Sequence, residues 1–384
     1  MKKYCEIISV VLFCAIIGVC SIAFVLLPDL DFSQQENRSL AQAPDFNGKN
    51  FFSGEFAKQI NLYFADQFPL RNQLVKLKSG TELAFLKAEN NGVVYSKNQL
   101  AVKNFDVCKT IRETIADTDY YFEESVELQL KNLNKVGSES EIPFLSVIPP
   151  RTIDIADSVF DYNRPQGDLV FDLMQESLTD AGYINLLDEI RPRFEKDEYV
   201  YYRTDHHWTT LGAYYAYEKI MESYGKKDLI IPKEDFQIEQ IYDFSGTTAA
   251  KGSFPIYEKD VLEIWHLPDD DEYEIIADGV TLDGFYSREY LETSDKYSVF
   301  LDGTHNITQI KKKGGENRET LLILKDSFAN CLIPFLAREF DIVAVNIHVF
   351  NDISALTEQF GADKALVVCN VENLITTVDL GKLK

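Results

Sequence analysis

The spacing of hydrophobic and polar residues changes several times along this chain, and each change predicts a different element. From Ile7 to Leu27 the run is uncharged and apolar, long enough at helical rise to cross a hydrocarbon core of about 30 Å. Lys2 and Lys3 precede it, so the basic end stays cytoplasmic and everything after Pro28 lies outside. The run exceeds the apolar region of a signal peptide, and no A-x-A-like cleavage site comes before Pro28, which favours an uncleaved single-pass anchor in the cell membrane. Phe56, Ile60, Tyr63 and Phe64 then recur at helical spacing until Pro69. The expected order is a cytoplasmic stub (1–6), a transmembrane anchor (7–27) and an extracytoplasmic neck (28–88).

Beyond the neck, strand-like and helix-like patterns alternate. Ile111 to Asn134 reads as helix, and Ile142–Ile148 as a strand closed by Pro149-Pro150. Leu169 to Leu178 is helical, stopped at Ala181-Gly182, and Tyr183 to Leu187 reads as a second strand. Residues 226–319 are rich in Asp, Gly, Tyr and Thr and read as an irregular, β-rich insertion. Alternation then resumes with strands at Thr320–Lys325, Ile342–Ile347 and Ala365–Cys369 and helices at Phe328–Phe340 and Ser354–Phe360. Repeated βα units predict an α/β domain over 89–384 with a doubly wound, mostly parallel sheet, whose sites form at the carboxyl ends of strands.

Composition narrows the function. In 384 residues, 45% are hydrophobic and 12% aromatic, which excludes a disordered chain. Against 62 acidic residues there are 38 Lys and Arg, a net charge of -24, and the longest basic run is Lys311 to Lys313. Nucleic acid is therefore not an expected partner. Cys5, Cys14 and Cys20 lie in or beside the anchor, while Cys108, Cys331 and Cys369 are too scattered for a disulfide framework or a C-x-x-C metal site. No Gly-rich phosphate loop is present, and no cofactor is expected.

Two strings carry chemistry. Tyr201-Tyr202-Arg203-Thr204-Asp205-His206-His207-Trp208-Thr209-Thr210 runs from a strand-like entry at Val200–Tyr202 into a helix capped by Thr209 or Thr210, with Ala213, Ala216, Tyr217 and Ile220 as its apolar stripe. In an extended turn Asp205 and His207 project to one side, where an imidazole can act as base and a carboxylate can orient it. In Leu322-Ile323-Leu324-Lys325-Asp326-Ser327-Phe328 a buried strand meets a helix at Ser327, the position of a nucleophile whose own N–H serves an oxyanion. The two strings together suggest Ser327 as nucleophile, His207 as general base and Asp205 as its orienting group. A helix cap at Ser327 and a self-satisfied turn at Asp205–His207 are the bland alternatives. A zinc site on Asp205, His206 and His207 is the weaker reading, because adjacent side chains diverge. Most aromatics flanking the motif read as core. Tyr202 and Trp208 remain candidates for stacking on a sugar, and Arg203 for meeting a charged substrate group.

The string TDHHW followed by T-x-L-G-A-Y, with LLILKDSFANCLIPFLA, resembles the DHHW protein family, itself similar to the alginate O-acetyltransferase branch of SGNH hydrolase-like proteins. Glu36 to Leu40, Asp66 to Arg71, Asn91 to Val93 and Tyr297 to Asn306 extend the likeness. In those acetyltransferases a D-x-H pair precedes the serine in the chain, and Asp205, His207 and Ser327 follow that order. The segment that usually reads G-G-N-H is Asp302-Gly303-Thr304-His305 here, so no amide stands at Thr304. The Gly303 N–H is then a second oxyanion candidate, and His305 a substrate-binding candidate. Asn346 to Phe350 lacks the arginine often found there.

The resemblance implies a membrane-anchored extracytoplasmic serine O-acyltransferase, chiefly an O-acetyltransferase, on a cell-envelope or exported polysaccharide. No acetyl-CoA is present outside the membrane, so a polytopic membrane acyltransferase is the implied acyl donor. A carbohydrate esterase and a catalytically silent envelope-binding or assembly protein are the alternatives.

Overall fold

The structure, a computed structural model, describes residues 2–33, 38–102, 119–156, 159–160, 169–255, 257–350, 352–376 and 383–384. It divides into two compact units, residues 1–88 with 253–256, and residues 89–252 with 257–384.

In the first unit a helix runs over Lys2–Leu26, and its segment Glu6–Leu26 is long and apolar enough to cross a membrane or to act as a signal sequence. The amphipathic helix expected from Phe56, Ile60, Tyr63 and Phe64 spans Glu55–Asp66, and another follows over Arg71–Ala84. The intervening Asp66-to-Arg71 string works as a clasp. Gln67 accepts the Leu30 N–H at 3.0 Å and donates to the carbonyls of Leu30 (2.9 Å) and Ala41 (3.0 Å). Asp66 accepts the Ala41 N–H at 2.9 Å. Two side chains thus supply partners to backbone groups that no regular ladder would satisfy.

The second unit is built on an eight-stranded mixed sheet: β1 (Phe144–Val147), β2 (Tyr183–Ile184), β3 (Tyr273–Ala277), β4 (Val280–Leu282), β5 (Ile307–Lys312), β6 (Thr320–Lys325), β7 (Asp341–Asn346) and β8 (Lys364–Val368). Their order is β4-β3-β5-β7-β6-β8-β1-β2. The ladders β7-β6, β6-β8, β8-β1 and β1-β2 are parallel. Those joining β7-β5, β5-β3 and β3-β4 are antiparallel. Leu321 to Leu324 are fully buried, which is why β6 reads as a continuous apolar run instead of an alternating one. The chain leaves β6 for β7 on one side and returns to β8 on the other, so the carboxyl end of β6 is a topological switch point.

Several expectations need correction. The sheet is mixed, because the segment read as an irregular insertion supplies β3, β4 and β5 to it, besides a hairpin of Gln237–Phe244 with Asp260–His266. Phe328–Phe340 is not one helix. A 3-10 turn over Ser327–Cys331 gives way to a short helix at Ile333–Leu336, since Pro334 has no N–H to continue an earlier helix and fits only a first turn. The strand at Tyr183 stops at Ile184, because the Asn185 side chain accepts the Leu187 N–H at 3.2 Å and caps the helix Leu186–Phe194. Val200–Tyr202 forms no sheet strand, only a bridge from Tyr201 to Trp208. Of the predicted helix at Ile111 to Asn134, the described part belongs to Asp119–Glu139; residues 111–118 and Cys108 lie outside the described residues.

Candidate active site

The loop that carries Asp205 and His207 is shaped by a buried carboxylate. Asp260 accepts the N–H groups of Arg203 (2.8 Å) and Thr204 (2.7 Å), the Thr204 hydroxyl (2.5 Å) and the Tyr199 hydroxyl. Burial raises the Asp260 pKa even though these donors pull it down. Tyr202 N–H to His207 O (3.3 Å) and Thr209 N–H to Val200 O (3.0 Å) close the loop. Thr209 then caps the helix Thr210–Ser223, accepting the Gly212 N–H at 3.2 Å. The expected apolar stripe of that helix is buried at all four positions.

Within this loop Asp205 and His207 do face the same side. His207 Nδ1 lies 2.6 Å from Asp205 Oδ1, which also accepts the His207 backbone N–H at 3.0 Å. The other carboxylate oxygen accepts the Thr247 N–H (2.8 Å) and hydroxyl (3.0 Å). Burial alone pushes the Asp205 pKa up, but His207 and His206 beside it and these hydrogen bonds outweigh it, holding the carboxyl well below the usual carboxylate range. Gly246 makes the close fit possible: a Cβ there would stand 2.3 Å from Asp205 Oδ2.

Ser327 sits two residues beyond the end of β6, at the start of the 3-10 turn. Asp326 caps that turn by accepting the Phe328 N–H at 3.0 Å, and its other oxygen accepts Asn370 N–H (2.7 Å) and Asn373 Nδ2 (2.9 Å). The half-buried Ser327 presents Oγ 2.7 Å from His207 Nε2. Asp205, His207 and Ser327 therefore form one hydrogen-bonded line, although the serine is 120 residues from the histidine. With Asp205 ionised, the Asp205–His207 distance is that of an Nδ1–H donated to the carboxylate, which leaves Nε2 to accept from the serine hydroxyl.

Other residues hold this line in place. Trp208 Nε1 donates to Phe328 O and reaches Cys331 Sγ, each at 3.0 Å, so the DHHW string and the serine turn are pinned together by one indole. Tyr297 lies flat on His207, centroids 3.8 Å apart and planes 9° from parallel, while its hydroxyl contacts Cys331 Sγ at 3.2 Å. Burial pushes the Cys331 thiol up to about 12, so it stays protonated. Lys325 is also buried. It donates to Asn330 Oδ1 at 2.5 Å, Asn330 donates on to Gly303 O at 2.9 Å, and burial lowers the lysine pKa to about 8.

Some expected substrate contacts do not survive. Tyr202 and Trp208 are fully buried, so neither ring offers a face to a sugar; Trp208 is a clamp and Tyr202 is core. Gly303 is not a free oxyanion donor, because its N–H goes to Phe300 O at 3.2 Å. Arg203 places its guanidinium 4.9 Å from the Tyr199 ring. His305 lies between Asp302 (3.1 Å) and Asp278 (3.5 Å), and Thr304 and His348 are exposed. Asp205, His206 and His207 are close enough together to be considered as metal ligands. However, two ligands on one tetrahedral zinc, each at about 2.0 Å, stand more than about 3 Å apart, and the 2.6 Å between Nδ1 and Oδ1 is a hydrogen bond. His206 Nδ1 is also engaged, at 2.7 Å from Thr247 Oγ1.

Asp260, Gly246 and Thr247 escaped the sequence reading, and Tyr297 was noted only as part of a family-like segment. The first three stand in a segment with no motif, and only pairing with a distant loop gives them a role. A small crevice beside His206 is lined by Arg151, Thr152, Ile153, Thr248, Asn370 and Glu372. Burial raises the Glu372 pKa to about 6.

A family model described as DHHW protein matches residues 170–346. No curated protein matches the chain. Among solved structures, a DHHW family protein from Eubacterium siraeum is 18% identical, with a TM-score of 0.59 over 75% of this chain and 93% of that one. Bacillus cereus PatB1 with a sulfonyl adduct is 19% identical, with a TM-score of 0.60 over 76% and 97%. The O-acetyltransferase domain of Pseudomonas putida AlgJ is a more distant likeness, 14% identical with a TM-score of 0.44 over 76% and 95%. The first two share this chain's α/β fold. The resemblance to the DHHW protein family read from the sequence is confirmed over the segment that carries Asp205, His207 and Ser327.

Proposed function

We propose that this chain is a membrane-anchored, extracytoplasmic serine O-acyltransferase of SGNH hydrolase-like type, acting on a cell-envelope or exported polysaccharide. The observation that carries the reading is the 2.7 Å approach of Ser327 Oγ to His207 Nε2, with Nδ1 held by an ionised, buried Asp205. In the first half-reaction Ser327 Oγ attacks the acyl carbonyl while His207 takes its proton, and the donor leaves with that proton as its acyl group passes to the serine. In the second, His207 takes the proton of a sugar hydroxyl, whose oxygen attacks the acyl-serine; the proton returns to Ser327 Oγ as the product ester leaves. The Ser327 N–H supplies one oxyanion donor. Tyr297, lying against the imidazole face, keeps the ring in plane and favours the imidazolium that forms in each half. A polytopic acyltransferase in the same membrane presents the acyl group, and the apolar N-terminal helix keeps the serine near it.

A sulfonyl adduct is described for PatB1, and the same class of reagent tests this site. Phenylmethylsulfonyl fluoride should label the full-length protein once, at Ser327, with labelling absent in Ser327→Ala and slowed in His207→Ala. Labelling at another residue, or an inert Ser327 in folded protein, would refute the nucleophile. Incubation with p-nitrophenyl acetate and an oligosaccharide acceptor then separates the reactions: acetylated oligosaccharide is expected, and release of acetate alone would make the chain an esterase.

A further inference from the structure

We propose that the aromatic tip formed by Phe46, Phe51, Phe52 and Phe56 enters the outer leaflet of the bilayer, giving the first unit a second hold on the membrane. The proposal rests on the reading of the apolar part of the first helix, Glu6–Leu26, as a membrane span. Phe46, Phe51 and Phe52 are 70%, 54% and 88% exposed, yet their rings form a contiguous group, with centroids 5.7 Å apart for Phe46–Phe51, 5.4 Å for Phe46–Phe56 and 5.5 Å for Phe51–Phe52. Contiguous exposed aromatic surface marks a contact site, whereas scattered apolar residues do not. Among the described residues every strongly exposed phenylalanine belongs to the first unit, either in the apolar helix (Phe13) or in the stretch that follows it.

The occupant follows from continuity with the anchor. Phe24, near the end of the apolar helix, packs its ring on Tyr63 (5.6 Å) and Phe64 (5.0 Å) of the amphipathic helix Glu55–Asp66. The Tyr63 hydroxyl reaches Asp29 at 3.0 Å, and Gln67 clasps Leu30. The carboxyl end of that helix is therefore tied to the residues where the spanning helix leaves the hydrocarbon. Tyr63, with its ring on Phe24 and its hydroxyl on a carboxylate, has the arrangement of an aromatic at a membrane–water interface. The aromatic tip leads into the other end of the same helix. Its charges, Asp45, Lys49, Glu55 and Lys58, cancel, which leaves a neutral patch in a chain of net charge -24, so headgroup repulsion does not oppose its entry.

The test uses the full-length chain in phosphatidylcholine/phosphatidylglycerol vesicles, with Phe52→Trp and Ile16→Trp made separately and Phe46→Trp as a second tip reporter. Trp208 and Trp265 are buried and give a constant background. The tip indoles should emit to the blue, resist iodide and lose emission in vesicles of brominated-acyl phosphatidylcholine, as should the indole at position 16. Tip indoles open to iodide and unaffected by brominated lipid, with position 16 quenched, would overturn this proposal alone. Tip indoles shielded from iodide but untouched by brominated lipid would mean that protein covers the tip, which also overturns it. Absence of lipid quenching at position 16 would refute the anchor, and the proposal with it.

Discussion

Gly246→Ala perturbs the site without touching a reacting atom. Gly246 does not have positive φ, so its backbone accepts alanine, and the obstacle is space alone. The added Cβ would stand 2.3 Å from Asp205 Cβ and Oδ2 and 2.6 Å from Cγ. Ordinary contact begins at 3.4 Å, so one partner must retreat by about 1 Å. Thr247 grips the same carboxylate through its N–H and hydroxyl, and retreat breaks that grip too. Moving Asp205 by that amount lengthens the 2.6 Å bond to His207 Nδ1 beyond hydrogen-bonding range. A misplacement of about 1 Å costs roughly 10²-fold in rate, and complete loss of the orienting carboxylate about 10⁴-fold, so the expected loss lies between these limits. Overpacking costs a further 1–3 kcal/mol or so of stability, which lowers Tm without unfolding a unit of this size. The assay is the second-order rate of Ser327 sulfonylation at neutral pH, with Asp205→Ala as the floor and near-UV circular dichroism as the check on folding. A folded Gly246→Ala protein that reacts within about threefold of the parent would refute the claim that Asp205 placement governs the serine.

Asp260→Asn keeps the size of the side chain but turns an amide toward donors, so it should lower stability by about 2–4 kcal/mol in thermal denaturation and slow Ser327 labelling. An unchanged Tm would show that the loop does not depend on this carboxylate. Lys325→Met should raise stability at pH 7. Burial lowers the lysine pKa from its ordinary 10.5 to about 8, a penalty of about 3 kcal/mol that the lost charged bond to Asn330 offsets by about 2. Below pH 8 both folded and unfolded lysines are protonated and the penalty is complete; between 8 and 10.5 the folded state sheds its proton first, so the gap between variant and parent should shrink. A gap that stays constant across that range in denaturant titrations would refute the titration of Lys325.

What could be read from the sequence is what local geometry decides. Asp205 and His207 are two residues apart, and although the loop bends there instead of running extended, the structure sets both on one side. Ser327 follows a fully apolar strand and could be placed at a carboxyl strand end without knowing the neighbours of that strand. The helices and strands with clear periodicity lie within a few residues of their expected bounds, and of the two expected caps, Thr209 and Thr210, it is Thr209 that caps the helix. Errors arose where a single side chain overrides a pattern. Pro334 divides an apolar run that otherwise reads as one helix, and Asn185 converts the end of a β-like run into a helix start. The aromatic string Tyr201, Tyr202 and Trp208 was ambiguous for a related reason: a ring that stacks on sugar and a ring that fills a core have the same composition, and only burial separates them.

The segment read as an elaboration shows why the rest was hidden. It supplies Gly246, Thr247, Asp260 and Tyr297, each an ordinary residue in an irregular stretch, and each gains its role by meeting a loop some forty to ninety residues earlier in the chain. The two halves of the proposed triad are local, but their alignment is not. Trp208 bridges them from one side, Tyr297 fixes the imidazole plane from another, and Asp260 sets the loop that carries Asp205 and His207. The proposed reactivity therefore depends on contacts that leave no motif. A relative that keeps every letter of TDHHW and KDSF but loses these supports should keep the resemblance and lose the nucleophile, because a hydrogen-bonded line is only as effective as the geometry holding it.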